Sequence, residues 1–598
     1  MKFTNLSLYT IVLSLLSNLA TVAVANEVVD ESQIFKLPTN TDSLETNTSS
    51  QLLFSDVDNT GDEIAESSDN PEDQENAEKE EDEEEEEYTL SPLQIFPFEP
   101  MTVETANILP PGALDTNFSA ILYPTGSQGS GLGLQVYNIG IDYGVTDQFQ
   151  IGADLSFFDD ALSTTFNGEK TDFGFFSLAP SFKYKFVESY SYSVAVVGSV
   201  EWLKVTSQNG LFNRLDVTRQ DNTAAGTIQV PLTYDVAENA QWHLVGGLAI
   251  FPDRVNGGEF YGTFFNIGTG VSFKFAERFG FFADLNVPLG PGDNSVSRTG
   301  KVGKDVVWSA GLNYLHSPNV GLDVSVTNRL GNTPATKLLT FLPNGDEIGV
   351  GVNVRYSPDI GQNYQGSFRV ESLPPMSDRE KQLVFNNIIL SSATTIRKGM
   401  FLFDGGIGPS VNTQLSYGMS DNAQLSFIAQ QLSDSNQPIG NSTKLGGATK
   451  FNFLDQYQGD PFSLGVRGAF QEASGQEDGV GSFAGGAAFV YSANDAIAFT
   501  FNPKAGLFGD NRILGAGLGI NLQPLPGFQL IGEVTPMISN DPTVWAAGAR
   551  YMPPSSNVGV GVYGTNAAGT SDIGSIIRQS DSDISVGVNI MFLLGGGN

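Results

Sequence analysis

Apolar and polar residues alternate along this chain in about two dozen runs of ten or so residues. Residues 262–275 show the pattern best. Phe265, Ile267, Thr269, Val271, Phe273 and Phe275 fall on one side, and Asn266, Gly268, Gly270, Ser272 and Lys274 on the other. A strand sends successive side chains to opposite faces, so each run predicts a strand with one apolar and one polar face. The same alternation gives Phe182, Tyr184 and Phe186 against Lys183 and Lys185, and Val320, Leu322, Val324 and Val326 against Asp323, Ser325 and Thr327.

The runs are joined by short turns and long loops in strict alternation. Short turns follow Tyr143, Phe186, Val236, Phe275 and Tyr314, and longer polar loops lie near 124–131, 159–172, 204–224, 252–261, 289–304 and 331–346. Short turns on one side and long loops on the other are the layout of outer-membrane barrels. Twelve strands are predicted between about Ala113 and Tyr356.

The pattern then restarts. Tyr417-Gly418-Met419-Ser420-Asp421-Asn422 echoes Tyr143-Gly144-Val145-Thr146-Asp147-Gln148. Trp545–Tyr551 echoes Trp308–Tyr314, and Gly587–Phe592 echoes Gly351–Tyr356. Matches in the same order at equivalent strands point to an internal duplication. The fold class is therefore all-β, as two tandem twelve-stranded antiparallel transmembrane barrels or one barrel of 24 strands. Residues 357–397 favour two, because a hairpin needs only about two to five residues. The expected organisation is a signal peptide over 1–25, an acidic disordered segment over 26–88, a first barrel with its entry segment over 89–356, a periplasmic linker over 357–397 and a second barrel over 398–598.

Composition supports this reading and narrows it. Lys2, the apolar stretch Leu8–Leu19 and Ala23-Val24-Ala25 have the form of a secretory signal. No later run is long and apolar enough for a helical span. Of the net charge of −37, more than half lies between Asn26 and Tyr88, where 23 acidic residues face two lysines. Such a block repels itself and buries little, so it is expected to be a disordered spacer, with calcium buffering, contact with cationic partners or gating as the functional alternatives. The chain has no cysteine and only two histidines, His243 and His316, which leaves neither disulfides nor a metal-ligand cluster. Both histidines fall at predicted periplasmic strand ends, where an outer-leaflet lipase site is not expected, so no enzyme activity and no cofactor are predicted.

The inward-facing charges are the candidate site. Asp142, Lys183, Lys185, Asp235, Lys274 and Arg355 lie near the short turns of the first unit, and Lys450, Arg467, Glu533 and Arg550 are their counterparts in the second. They either form a mixed-charge constriction or pair with one another to fill a narrow lumen. In the second unit Gly515, Gly517, Gly519 and Asn521 make the inner face small, leaving room for a pore or for an inserted segment. Tyr143, Phe186, Trp242, Phe279, Tyr314, Tyr356, Tyr417, Tyr551 and Phe592 are expected to form an aromatic girdle at the membrane interface.

Ala106-Asn107-Ile108-Leu109-Pro110-Pro111-Gly112-Ala113-Leu114, the loop at Pro124-Thr125-Gly126 and the strand ending Tyr143-Gly144-Val145-Thr146-Asp147 resemble the bacterial outer-membrane transporter family named for the phenol-degradation meta-pathway. The resemblance covers about 106–356 and, more faintly, 398–592. It implies porin-like barrels that pass small, often hydrophobic molecules. Members of that family are usually a single barrel, and this chain has two units. The expected role is a passive outer-membrane channel for small solutes or small hydrophobic compounds. Its partners would be outer-membrane lipid, the barrel-assembly machinery and an unidentified small solute, with no nucleic acid. The rival is a structural or surface-interaction protein with plugged barrels.

Overall fold

The computed structural model describes residues 90–595 apart from 96–99, 125–133, 159–161, 167–168, 208–218, 256–257, 361–363, 365–372, 374, 433–442, 475–480, 509–510, 540 and 580–583. The expected signal peptide (1–25) and acidic segment (26–88) lie outside the described residues. Within them the chain forms two closed antiparallel barrels of twelve strands each.

The first barrel comprises β1 (Leu114–Tyr123), β2 (Leu134–Thr146), β3 (Phe149–Phe158), β4 (Glu169–Glu188), β5 (Tyr192–Ser207), β6 (Arg219–Ala237), β7 (Ala240–Ile250), β8 (Thr263–Lys274), β9 (Phe279–Leu289), β10 (Val307–Ser317), β11 (Val320–Thr327) and β12 (Gly349–Tyr356). It closes where β1 pairs with β12, with Asn117 opposite Arg355. A short strand at Leu162–Phe166 prolongs the hairpin that leads into β4.

The second barrel comprises β13 (Phe401–Ile407), β14 (Ser410–Ser420), β15 (Ala423–Leu432), β16 (Thr443–Leu454), β17 (Ser463–Ser474), β18 (Ser482–Asn494), β19 (Ile497–Phe508), β20 (Asn511–Leu525), β21 (Phe528–Thr535), β22 (Val544–Tyr551), β23 (Val558–Thr565) and β24 (Ser585–Leu594). It closes on its own first and last strands, with Phe403 opposite Phe592. A single 24-stranded barrel is thereby excluded.

Alternation fixes which face is which. On β8, Phe265, Ile267, Val271 and Phe273 are exposed, while Phe264, Asn266, Gly268, Gly270 and Ser272 are buried. The outward row is apolar on strand after strand, as a surface in contact with lipid requires. A slip of one residue would turn Asn266 and Ser272 to that surface, so the register is set by the side chains as well as by the ladder.

The two barrels repeat local contacts. Gly112 N–H donates to Gly144 O at 2.8 Å, and Gly399 N–H donates to Gly418 O at 2.8 Å. In each case the entering chain crosses the second strand so closely that a Cβ on Gly144 or Gly418 would stand 2.1 Å from a carbonyl oxygen, that of Pro110 or Arg397. Trp308 N–H donates to Asn328 Oδ1 at 2.9 Å, and Trp545 N–H donates to Asn566 Oδ1 at 2.7 Å. The hydroxyls of Thr327 and Thr565 donate back to the carbonyls of the same tryptophans, at 2.8 Å and 2.6 Å.

The barrels lie against each other. Val320 and Val354 of the first pack on Met419, Ala423 and Phe451 of the second, all five buried. His316 Nε2 lies 2.9 Å from Asn422 O, and its ring meets those of Phe451 and Phe453. This corrects two expectations. Val320 does face outward, but it meets the second barrel and not lipid. Tyr314, Tyr356 and Tyr417 belong to the same seam, with the Tyr356 and Tyr417 rings 6.3 Å apart, whereas Tyr143, Phe186, Trp242 and Tyr551 are exposed.

The expected periplasmic linker is also corrected. Residues 357–397 do connect the barrels, but their second half lies inside the second one. Leu383, Val384, Phe385, Ile388, Ile389, Leu390, Ala393 and Ile396 are buried, and partners from seven or more strands surround them. A twelve-stranded lumen is too wide for its own side chains to fill, so chain from outside the wall occupies it.

Candidate functional site

Each lumen is entered from both ends by the chain itself. From the short-turn end comes the segment preceding the first strand, and from the long-loop end comes the loop preceding the last strand.

In the first barrel the entry segment is tied to the wall by its backbone. Met101 and Thr102 N–H groups donate to the Asp284 carboxylate at 2.9 Å and 3.0 Å, Ala106 N–H to Thr233 Oγ1 at 3.0 Å, and Leu109 N–H to Gln150 Oε1 at 3.0 Å. Extended chain has no internal partners for these donors, and a dry lumen would leave them unmet, so polar wall residues supply the acceptors. The last loop, 328–348, folds inward and carries Leu330, Leu338, Leu339 and Phe341 into an apolar cluster with Tyr123, Phe158, Phe173 and Phe264. Glu201 on β5 holds that loop, accepting from Thr333 Oγ1 at 2.7 Å, Ser177 Oγ at 3.0 Å and Ala335 N–H. Entry segment and last loop meet where Lys337 pairs with Glu104 and Arg329 Nη1 donates to Met101 O at 2.8 Å.

Burial raises the Glu104 carboxyl, but the ammonium groups of Lys337 and Lys183 more than offset this and hold it below the ordinary carboxylate range.

The second barrel repeats the plan with a different filling. Its entry segment begins with the helix α1 (Asp378–Val384), N-capped by Ser377, whose Oγ accepts from Glu380 N–H at 3.1 Å. The chain then crosses the lumen. Ile388 and Ile389 N–H groups donate to Glu533 Oε2 at 3.1 Å and 2.6 Å, and Arg550 Nη2 donates to the carbonyls of Asn386 and Asn387 at 2.6 Å and 3.0 Å. Leu390 sits against Gly517 and Gly519, where a Cβ would stand 2.4 Å and 3.0 Å from its methyl groups. The small inner face therefore serves an inserted segment. From the other end, the loop after β23 brings in Ile573 and Ile576, and its Asp572 is held by Arg467. Lys504 Nζ joins the two, donating to Ile389 O at 2.9 Å and Ser575 O at 3.1 Å.

Here the filling is incomplete. Two small polar clefts adjoin at Asn386, Thr570 and Ser571. The first is walled by Asp404, Asn412, Gln414, Arg550, Tyr563 and Asn589, the second by Arg467, Asn502, Lys504 and Asp572.

The sequence-predicted charges fall into two groups. In the first barrel Lys185 pairs with Glu188 at 2.7 Å, Asp235 accepts from Gln241 at 2.8 Å, Lys274 is half-buried beside a short turn, and Arg355 pairs with Asp115 at 2.9 Å. Asp142 accepts from Gln150 at 2.9 Å, and Lys183 lies 3.8 Å from Glu104. They are spread around the short-turn end and not gathered into one ring. In the second barrel Lys450, Arg467, Glu533 and Arg550 are all buried and all grip inserted chain; Lys450 Nζ donates to Ser392 Oγ at 2.8 Å and Thr394 O at 2.7 Å.

Sequence reasoning missed Glu104, Glu201, Asp284, Asp404, Lys504 and Asp572. Alternation alone marks Lys504 as inward, since Phe499 and Phe501 are exposed and Thr500 and Asn502 buried. Glu104 and Asp572 lie outside the strands, where no periodicity points to them. His243 stands in the first wall, 3.1 Å from Thr233 Oγ1 and 3.0 Å from Ser272 Oγ.

No protein-family model matches the chain, so the resemblance to the phenol meta-pathway transporters gains no support. No curated protein matches it either. Among solved structures it is similar to the KdgM porin, at 9% identity over 40% of this chain and 98% of that one with a TM-score of 0.24. It is similar to the NanC porin at 11% identity over 41% and 99%, with a TM-score of 0.25. The ferric enterobactin receptor of Pseudomonas aeruginosa matches at 8% identity over 82% of this chain and 81% of its own, with a TM-score of 0.21.

Proposed function

We propose that this chain is an outer-membrane channel in which the second barrel carries the solute path and the first is a sealed scaffold. One observation supports the reading above others. The second lumen keeps two adjoining polar clefts between its entry segment and its last loop, while the long-loop half of the first is filled with packed apolar side chains. The apolar outer faces call for a lipid setting, and among the described residues no helix is long and apolar enough to cross a membrane, so the strands do the crossing. The short turns would face the periplasm and the long loops the outside. The repeated tryptophan–asparagine and glycine contacts support a tandem duplication, after which one copy kept a polar lumen. Passage is passive and requires the inserted chain to shift.

A second reading has its own support. Both lumens hold ordered chain, which suits a structural protein with two plugged barrels. Swelling of liposomes containing the folded protein separates the two. Entry of small neutral solutes at rates above those of empty liposomes supports the channel. Rates equal to those of empty liposomes, with insertion verified, favour the structural reading.

A further inference from the structure

The first cleft of the second barrel carries buried polar atoms without partners. Asp404 Oδ1, Asn412 Oδ1, Arg550 Nη1 and Ser571 Oγ line it, and none has a hydrogen bond. Arg550 is 3% exposed, and Asn412 and Ser571 8% each. Left dry, such atoms cost free energy, so the cleft suits an occupant that both donates and accepts.

The chemistry of the wall narrows the occupant. Carboxamides dominate: Asn386, Asn387, Asn412, Gln414 and Asn589. Their donors and acceptors are paired on one group, which suits hydroxyls better than an ion of either sign. The charges also balance. Asp404 faces Arg550 across this cleft, and Asp572 faces Arg467 and Lys504 in the next, with Glu533 close to Lys504 and Arg550. Apolar edges come from Ile388, Ile531, Val562 and Tyr563, the surface that the C–H face of a polyol would meet.

We infer that this cleft binds a small neutral polyhydroxylated solute between Asp404, Asn412, Asn589 and Arg550. The inference rests on the second barrel being the solute path, and it names the class of solute that path takes. An occupant on this site touches Asn386 and Asn387 of the entry segment and Thr570 and Ser571 of the last loop at once. Binding therefore reports on both inserted pieces.

The test is calorimetric titration of the folded full chain in detergent with glucose and with glycerol, using benzoate and inorganic phosphate as ionic controls. Saturable binding of glucose or glycerol, with neither anion binding or competing, is expected. Asn412→Leu and, separately, Asn589→Leu should weaken it about tenfold or more, with both variants keeping the heat-modifiable gel shift of a folded barrel. Absence of saturable polyol binding to the folded chain overturns the inference, the cleft then holding solvent only. Binding unmoved in both variants overturns the assignment to this cleft. Failure of the channel reading looks different: polyol binds and both variants weaken it, yet liposomes do not swell. Swelling without binding removes this inference and leaves the channel.

Discussion

Arg467 grips Asp572 with two hydrogen bonds, 2.9 Å from Nε to Oδ1 and 3.1 Å from Nη2 to Oδ2, and so fastens the last loop of the second barrel to the fifth strand of its wall. The fifth strand of the first barrel does the same job with the opposite charge, through Glu201. Both side chains of the Arg467–Asp572 pair are at most 6% exposed. Removing one partner of such a pair costs about 3–5 kcal/mol, because the other is left charged and dry. Arg467→Ala should therefore release the loop locally. Trypsin cleavage after Arg578, in the same loop, should become faster in the folded variant, while cleavage at the short-turn end is unchanged.

Gly517 has no Cβ because Leu390 occupies that place. Gly517→Ala should destabilise the folded protein by about 1–3 kcal/mol through overpacking. Leu390→Ala, which costs stability alone, should recover much of that loss when combined with it. A double-mutant cycle by thermal unfolding measures the coupling, and additive losses would mean that the entry segment does not lie on this strand.

Glu104 gives the first barrel an acid-sensitive tie. Its carboxyl titrates below the ordinary carboxylate range in the folded protein, because Lys337 and Lys183 outweigh its burial. A carboxyl held low contributes stability that is fully present above the unfolded value and is lost as pH falls through the folded one. Thermal stability should therefore drop as pH falls below about 4.5. Glu104→Gln should be less stable at pH 7 and should lose less than the wild type over the acid range.

The seam between the barrels should hold without the connecting chain. Val320, Val354, Met419, Ala423 and Phe451 are buried there, and Lys398 pairs with Asp359. A protease site inserted within residues 365–372 should yield, after cleavage, two fragments that co-elute in detergent. Phe451→Asp should separate them, since a carboxylate in that seam would be unpaired and desolvated.

Much of this architecture was legible in the alternation, because in a barrel every strand must keep one row for lipid and one for the lumen. The runs around Phe265 and Phe182 gave strand, face and register together. What the alternation could not carry is the filling of the lumen. Residues 378–396 are irregular chain after one short helix, and their apolar residues Ile388, Ile389 and Leu390 form a continuous run with no period. Their place is set by the wall opposite, through Glu533, Arg550 and the glycines of β20. The small face of Gly515, Gly517 and Gly519 was visible, yet it fits a pore and an inserted segment equally well until Leu390 is seen against it. Which of the charges predicted as a constriction hold inserted chain, and which pair with neighbours in the wall, depends on partners such as Glu104 and Asp572 that lie outside the strands.

The central claim is that solutes pass through the second barrel only when its entry segment moves. The chain has no cysteine, so Leu390→Cys with Gly517→Cys introduces one unique disulfide between that segment and the wall. Single-channel recording of this variant in a planar bilayer, oxidised and then reduced in the same membrane, is the direct test. Silence when oxidised and small openings after reduction are expected. Equal conductance in both states, with the disulfide verified, would contradict the claim.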